Sequence, residues 1–360
     1  MSISTILNSN LFSKQDIITL LQTEGEDKAA LFAKSAEVKR QYVGNKVYFR
    51  GLLEYSNICK KDCYYCGIRG SNRNTARYTM TEEEVLEAVR YAYSERYASL
   101  VIQAGEVSNS EFVHKITELL YKIKEITNNE MGVTLSLGEQ SRETLLEWKE
   151  TGARRYLLRI ESSNPELYNK IHPQNKIHDY QARLDGIHLL RETGYQVGSG
   201  VMIGLPFQTI EHLADDLIFL RDLDIDMVGM GPYVEHQDTP LYQYRDTLLP
   251  QAHRFDLTLK MISILRIMMK DINIAATTAL QAIDETGRGK ALKVGANIVM
   301  PNLTPVKYRR NYLLYEDKPC VDEEAFESKA SLEAQIHFAG DVIGYGEWGD
   351  SKHFQHRKEK

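Results

Sequence analysis

The sequence predicts an α/β fold in which a parallel sheet closes into a (β/α)8 barrel of the TIM type. Short apolar segments typical of strands alternate with segments whose apolar residues recur at helical spacing. This alternation requires a parallel sheet, because a helix must return the chain to the same edge before each new strand. Eight such units over about 250 residues fit a closed barrel. A doubly wound open sheet is the structural alternative.

The individual elements follow from these patterns in chain order. Residues 14–43 are predicted to be helical, and residues 47–54 form the first strand. A polar loop with three cysteines continues to about residue 78. Thr81 and Glu84 form a capping-box pattern that begins the next helix. The remaining predicted strands are residues 99–104, 132–137, 155–160, 196–203, 226–229, 272–276 and 296–300, and the predicted helices lie near 81–95, 110–126, 141–150, 178–193, 208–222, 254–269 and 283–290.

These elements divide the chain into three predicted parts. Residues 1–44 form an N-terminal helical extension, and residues 45–315 form the barrel. Residues 316–360 are polar and are expected to form a C-terminal tail appended to the barrel.

Composition and charge favour a protein that binds neither nucleic acid nor membrane. The chain has 50 acidic and 44 basic residues and a net charge of −6, whereas nucleic-acid binders usually have a basic surplus. No stretch approaches the roughly 18 apolar residues of a membrane span. The N-terminus lacks the basic flank and apolar run of a signal peptide. We therefore expect a cytoplasmic location.

The loop after the first predicted strand carries the strongest chemical signal. Cys59, Cys63 and Cys66 have the spacing C-x3-C-x2-C, with an aromatic residue just before the third cysteine. Three thiolates suit three irons of a [4Fe–4S] cluster, and the fourth iron then stays open for an amino and a carboxylate group of a ligand. A zinc site is the alternative, but zinc usually takes four ligands, and neither His nor Cys occurs between Cys66 and His114. An electron-transfer ferredoxin would usually have a fourth cysteine.

Charged residues inside predicted strands also indicate a polar site. Arg159 and Glu161 are two apart and so point to one face of a strand. Arg50 lies among apolar neighbours in the first strand. A buried unpaired charge is costly, so each of these side chains needs a partner. A structural salt bridge between Arg159 and Glu161 is the simple explanation, and a bound ligand is the other.

The cysteine triplet is the signature of the radical S-adenosylmethionine (SAM) superfamily, which this chain resembles. Further motifs are similar to those of the HydE family of [FeFe]-hydrogenase maturases, and the resemblance runs from about residue 45 to 315. Biotin synthase and methylornithine synthase look like more distant relatives. The motifs are Cys63-Tyr-Tyr-Cys66-Gly-Ile-Arg, Val133-Thr-Leu-Ser-Leu-Gly-Glu139, Arg155-Tyr-Leu-Leu-Arg-Ile-Glu161, Gly204-Leu-Pro-Phe-Gln-Thr209, Asp226-Met-Val-Gly-Met-Gly-Pro232, Ala275-Ala-Thr-Thr278 and Gly295-Ala-Asn-Ile-Val-Met-Pro-Asn302.

The resemblance implies a function as well as a fold. It implies a barrel with an internal cavity, one [4Fe–4S] cluster and SAM, whose reductive cleavage gives a 5′-deoxyadenosyl radical. The implied substrate is a cysteine-bound iron carbonyl–cyanide species made by the partner HydG, on the way to the diiron subcluster of the hydrogenase. The implied partners are HydF as scaffold and reduced ferredoxin or flavodoxin as electron donor, and the chain is expected to be a monomer.

The resemblance also assigns residues, most of which have an ordinary structural explanation on sequence alone. Met227, for example, would otherwise be core packing, and Arg183 a solvated helix charge. The cofactor-binding residues implied are Gln103, Ala104, Gly105, Glu106, Ser136, Arg159, Glu161, Arg183, Met202 and Met227. The implied substrate or anion-binding residues are Arg50, Thr277, Thr278, Tyr308 and Arg309.

The sequence departs from some relatives at the C-terminus. Those relatives bind a second cluster through three cysteines there, whereas this chain has Cys320 alone, so no second cluster is expected. A related radical SAM activity on another small substrate, of the methylornithine-synthase or biotin-synthase kind, stays as the alternative function. Sulfur insertion of the biotin type would need a second cluster, for which the strands have no spare cysteines. A non-catalytic metal-binding module is a third possibility.

Overall fold

The computed structural model describes residues 2–9, 11–322 and 325–359. Its helices and strands alternate through the middle of the chain, as the sequence predicts. The helices in these ranges are α1 (Ile3–Leu7), α2 (Lys14–Leu21), α3 (Gly25–Tyr42), α4 (Glu82–Ser94), α5 (Ser110–Ile126), α6 (Arg142–Thr151), α7 (Pro165–Ile171), α8 (Tyr180–Glu192), α9 (Ile210–Asp222), α10 (Gln251–Met268), α11 (Thr278–Ile283), α12 (Gly287–Lys293), α13 (Val306–Arg309), α14 (Ala325–Phe338) and α15 (Lys352–Lys358), with 3-10 helices at Lys176–His178 and Pro240–Thr247. The strands are β1 (Lys46–Phe49), β2 (Gly51–Ser56), β3 (Ser99–Ala104), β4 (Gly132–Ser136), β5 (Ala153–Leu157), β6 (Gln196–Ser199), β7 (Met202–Ile203), β8 (Met227–Val228), β9 (Gly231–Pro232), β10 (Asn273–Ile274), β11 (Ile298–Val299) and β12 (Val342–Ile343).

The sheet closes into an eight-stranded parallel barrel. Strands β2, β3, β4, β5, β6, β8 and β10 pair in that order. Strand β11 closes the ring, because Ile298 bridges to Ala275 beyond β10 and also pairs with Tyr48 of β1. Strands β1 and β2 are one continuous strand interrupted at Arg50. These pairings confirm the predicted barrel, and the open-sheet alternative is wrong.

Local sequence explains where the helices begin. The side chain of Thr81 accepts from the backbone N–H of Glu84, and the Glu84 side chain accepts from the backbone of Thr81, which is the predicted capping box at the start of α4. The helix predicted near residues 283–290 is instead two short helices, α11 and α12. The break falls at Asp284, whose backbone is extended. Helix α7 was not predicted, since its seven residues are too few to show a period.

The two ends of the chain pack on the barrel. Helix α2 packs against α9, and α3 packs against α10. The C-terminal segment adds β12 alongside β1, in parallel, with Val342 opposite Lys46. A buried ion pair of 2.5 Å between Lys39 Nζ and Asp341 Oδ2 joins the N-terminal helices to this segment. Within the described ranges, no helix combines the length and the apolar character needed to cross a membrane.

Candidate active site

The cysteine loop leaves the carboxyl end of β2, where barrel enzymes carry their sites. Asn57 anchors it, because its amide donates to the carbonyl oxygens of Ala76 (2.8 Å) and Asn311 (2.7 Å). The Asn57 side-chain oxygen also accepts from the backbone N–H of Tyr78 at 2.8 Å. The guanidinium of Arg77 donates to four carbonyl oxygens of the loop. The loop is therefore held by polar side chains of its own, the buried Asn57 and the exposed Arg77.

The three cysteines line one cavity of about 310 Å³ at this end of the barrel. Burial raises the pKa of all three thiols, that of Cys63 to about 12. As thiolates they would also repel one another, which raises the pKa of Cys66 further. A bound cation reverses this preference, since metal ligation deprotonates a thiol. Three sulfurs on one cavity fit an iron–sulfur cluster.

A glycine brings the end of β3 against the cysteine loop. The backbone N–H of Glu106 lies 3.3 Å from the sulfur of Cys59. At Gly105, a Cβ atom would lie 2.3 Å from the carbonyl oxygen of Ile58 and 2.8 Å from the Cβ of Cys59. A side chain therefore does not fit between β3 and the loop.

Four charged side chains form a group beside Cys59, in which Arg183 and Lys61 are buried and the two glutamates are half-buried. Arg183 pairs with Glu106 (3.1 Å) and with Glu139 (3.0 Å), and Lys61 pairs with the same two carboxylates, each at 3.1 Å. Burial opposes the charge of Arg183, but the two carboxylates outweigh it and hold the pKa of the guanidinium above its usual range. The two positive and two negative charges balance, so the group can be buried without excess charge.

Arg159 and Glu161 form an ion pair, which was one of the two explanations for their charges, although both lie beyond the end of β5 and not within the predicted strand. Arg159 Nη2 lies 2.9 Å from Glu161 Oε2 and donates to the carbonyl oxygen of Val201 at 2.9 Å. Glu161 has a φ of 66°, a conformation that costs a non-glycine residue about 1 kcal/mol or more and is concentrated at functional sites. Burial raises the pKa of its carboxyl, although Arg159 opposes the shift.

Most of the other residues assigned by resemblance line the same cavity. Arg183, Glu161 and the cysteines share it with Gln103, Ala104, Gly105, Glu106, Ser136, Arg159, Met202, Thr277 and Thr278. The structure thus brings together residues from strands and loops all around the barrel.

Four of the assigned residues do not line this cavity. Arg50, in the break between β1 and β2, donates to the carbonyl oxygen of Gly349 at 3.1 Å and contacts the sulfur of Met227 at 3.0 Å. Arg50 and Met227 lie toward the end of the barrel opposite the cysteine loop. Arg50 comes just before β2, and the cysteine loop follows the other end of that strand. Tyr308 stacks on Tyr78 with ring centroids 4.4 Å apart. Arg309 is buried and donates to backbone carbonyl oxygens.

The cavity also has a wall that the sequence did not reveal. Tyr312, Tyr315 and Lys318 line it from the segment that follows the barrel. Lys318 pairs with Glu54 of β2, and the hydroxyl of Tyr315 donates to Thr278 at 2.8 Å. An acidic residue in an apolar strand needs a buried partner, so Glu54 was the signal that could have pointed to Lys318.

The described residues contain no group of three His, Cys, Asp or Glu side chains arranged to hold a single metal ion.

Similarity to known proteins agrees with the geometry. A model of the radical SAM superfamily matches residues 53–220. Methylornithine synthase (PylB) has a similar structure, with a TM-score of 0.79 and 24% identity over 96% of this chain and 98% of that one. The [FeFe]-hydrogenase maturase HydG from Carboxydothermus hydrogenoformans also has a TM-score of 0.79, with 17% identity over 98% of this chain and 81% of that one. At these identities the similarity shows a shared fold.

Relatives found by sequence are more informative about the family than these similar structures. The 3-methylornithine synthase of Methanosarcina acetivorans is 26% identical over 82% of this chain and 80% of its own length. The [FeFe] hydrogenase maturase subunit HydE of Thermotoga maritima is 43% identical over 323 residues, which are 90% of this chain and 89% of the relative. Because identity at that level extends over nearly the whole of both chains, this protein belongs to the HydE family and is a radical SAM enzyme.

Proposed function

We propose that Cys59, Cys63 and Cys66 hold one [4Fe–4S] cluster and that SAM binds next to it in the cavity. The cluster, when bound, supplies the electron that cleaves SAM to a 5′-deoxyadenosyl radical. The proposal is supported by three sulfurs that line one buried cavity, in a chain of the radical SAM superfamily. The residues proposed to bind SAM are Gln103, Ala104, Gly105, Glu106, Ser136, Arg159, Glu161, Arg183 and Met202.

The charged residues have separate tasks in this site. The guanidinium of Arg183 is held at the wall by two carboxylates, and its planar set of donors suits the carboxylate of an amino acid. Glu161 Oε2 pairs with Arg159 Nη2 at 2.9 Å, and both side chains line the cavity. A carboxylate has lone pairs left beside such a contact, so Glu161 can also accept a hydrogen bond from a ribose hydroxyl.

The rest of the cavity is suited to confine a radical. Its exposed lining is mainly apolar, with Leu52, Val101, Leu157 and Met300 among the residues that surround the polar groups. Excluding water from such a site prevents side reactions of a reactive intermediate. Thr277 and Thr278, at the start of α11, line the cavity and are proposed to offer hydroxyls to a second ligand.

We infer that the enzyme acts in [FeFe]-hydrogenase maturation. The proposed substrate is a cysteine-bound iron carbonyl–cyanide species made by HydG, on which the radical acts, and the product is destined for the HydF scaffold. The observation that carries this proposal is the 43% identity to the Thermotoga maritima HydE over 90% of the chain. Because Cys320 is the one cysteine of the C-terminal segment, we propose that there is no second cluster.

The test is a reconstitution under anaerobic conditions. Protein loaded with iron and sulfide is incubated with SAM and dithionite, and 5′-deoxyadenosine is measured with and without HydG and its substrates. We expect about four irons per chain, and faster formation of 5′-deoxyadenosine when the HydG product is present.

Other outcomes identify the alternatives. SAM cleavage that is indifferent to the HydG product contradicts the maturase proposal and favours a small-molecule substrate of the methylornithine-synthase or biotin-synthase kind. Zinc in place of iron, with no SAM cleavage, contradicts the radical SAM site itself.

A further inference from the structure

Two exposed isoleucines lie on the outside of the cysteine loop and have no part in the site described so far. Ile58, just before the first cysteine, is 46% exposed, and Ile177, in the 3-10 helix after α7, is 51% exposed. Their segments are in contact, because Lys61 Nζ donates to the carbonyl oxygen of Ile177. The backbone N–H of Asp62 also donates to Nε2 of His178 at 2.7 Å. Both isoleucines therefore belong to adjoining parts of the surface at the cysteine end of the barrel.

Lysines accompany these isoleucines. Lys60 lies two residues after Ile58, and Lys176 directly precedes Ile177. Both lysines are exposed, and neither pairs with a carboxylate of any residue that the structure describes. Together the four residues form a surface, here named the basic surface. It carries positive charge although the chain as a whole has a net charge of −6.

The acidic side chains of this region do not neutralise the two lysines. Asp62 pairs with Arg69 at 3.0 Å. Glu106 and Glu139 belong to the balanced group of four charges beside the first cysteine. Asp179 accepts a backbone N–H at the start of α8, where the positive end of the helix dipole offsets its charge. The positive charge of the basic surface is therefore available to a partner.

A small apolar area beside unpaired lysines suits a brief encounter with an acidic protein. Complementary charge speeds association and orients the partners. Encounters between electron-transfer proteins also bury less surface than stable complexes do. Cys59, a proposed cluster ligand, lies between Ile58 and Lys60 in the chain, so a protein bound here would lie next to the proposed cluster site.

We propose that the basic surface is the docking site of an acidic one-electron carrier protein of the flavin or iron–sulfur class. One electron passes from the reduced carrier to the cluster, so that the carrier is oxidised and the cluster reduced by that electron, and no bond forms or breaks. The inference rests on the proposed cluster site and adds the surface through which its electron arrives.

The test measures binding of oxidised flavodoxin to the iron-loaded enzyme by isothermal titration calorimetry at low and at high salt, with an acidic ferredoxin as a second arm that identifies the carrier class. We expect binding that weakens as salt increases. Lys60→Glu with Lys176→Glu reverses two charges and is expected to raise the Kd about tenfold. SAM cleavage driven by dithionite should stay unchanged, because so small a reductant needs no docking surface.

The matched control makes the same change of charge elsewhere. Lys124→Glu with Lys358→Glu alters two exposed positions, on α5 and α15, and is expected to keep the wild-type Kd. If Lys60→Glu prevents loading with iron, Lys176→Glu alone gives the same test, since it lies outside the cysteine loop.

The outcomes separate this inference from the proposed function. A wild-type protein that binds no iron contradicts the cluster site itself. With a full cluster, the inference is wrong if neither carrier binds the wild type, if the variant of the basic surface binds as tightly as the wild type, or if the control is weakened equally. It is also wrong if that variant keeps carrier binding but loses stimulation by the HydG product, which would assign the basic surface to delivery of substrate.

Discussion

Desolvation raises the pKa of the half-buried Cys63 thiol to about 12. Without a metal the side chain therefore strongly prefers the neutral form, whereas the proposed cluster would bind its thiolate. Cys63→Ala is therefore expected to lose the cluster and SAM cleavage together, since the cluster would be left with two protein ligands. Iron content, visible absorbance and 5′-deoxyadenosine are the measurements.

Cys320→Ala is the matched control for that variant. It is expected to keep about four irons per chain, because Cys320 lies in the C-terminal segment and does not line the cavity. Full activity of Cys63→Ala would refute the site, and loss of half the iron from Cys320→Ala would contradict the single cluster.

Asp216 of α9 is the second residue whose burial leads to a prediction. Its Oδ1 accepts from the backbone N–H and the hydroxyl of Ser163 at 2.7 and 2.6 Å, which anchors the loop after Glu161. Burial raises the pKa of its carboxyl to about 7. The folded state thus holds a proton that the unfolded state releases near pH 4, and the free energy of unfolding falls as the pH rises from about 4 to about 7.

Asp216→Asn is expected to remove this part of the pH dependence, because an amide keeps the hydrogen-bond acceptor and does not titrate. The effect is about 1.4 kcal/mol per pH unit at most. Urea unfolding at several pH values between 4 and 8 measures it. Asp222→Asn, on the exposed face of the same helix, is the control and should keep the wild-type slope. An identical slope in wild type and Asp216→Asn would contradict the prediction.

At the scale of elements, the contact between β3 and the cysteine loop determines whether the ligands are correctly placed. Gly105→Ala would put a methyl group 2.3 Å from the carbonyl oxygen of Ile58. We expect a loss of about 1–3 kcal/mol of stability, typical of overpacking, and a several-fold loss of cluster loading, because the displaced segment carries Cys59.

Thermal unfolding of the apo protein and iron content after reconstitution measure these two effects. Gly289→Ala in α12 is the control, since a Cβ there meets no atom closer than 3.4 Å and alanine favours a helix. Gly105→Ala with wild-type iron content would show that the loop tolerates the shift.

The strands and helices also show which parts of the structure could be predicted from the sequence. The barrel strands were predictable because apolar segments and helical periods alternate clearly. Strand β12 was not, since its two residues lie in a polar segment and Val342 is 43% exposed. In the site, the cysteines were marked by their spacing. Tyr312, Tyr315 and Lys318 come after the last barrel strand and after α13 in the sequence. They reach the cavity only through tertiary packing, which no local sequence pattern reveals.

At the scale of the whole molecule, the C-terminal segment seals the end of the barrel opposite the cysteine loop. Asp350 pairs with Arg155, whose side chain is fully buried, and Gly349 accepts from both Arg50 and Asn273. Burial opposes the charge of Asp350, but Arg155 holds the pKa of its carboxyl below the usual range. Two neighbouring residues thus serve two buried guanidinium groups, since Asp350 pairs with Arg155 and the carbonyl oxygen of Gly349 accepts from Arg50.

Asp350→Asn is expected to destabilise the whole fold by about 3–5 kcal/mol, the cost of leaving a buried charge without its partner. Chemical denaturation measures the loss. Asp246→Asn, whose side chain is 83% exposed, is expected to change the stability by less than about 0.5 kcal/mol. Equal stability of the two variants would show that Arg155 does not depend on Asp350.

The pairing of β1 with β11 has a consequence for the protein during its synthesis. The ribosome releases the cysteine loop early, whereas the strand that completes the ring and the tyrosines that line the cavity emerge some 240 residues later. A nascent chain therefore carries three unenclosed thiols for most of its translation. The cavity that these thiols line is complete only when the last strand and the tyrosines have been added.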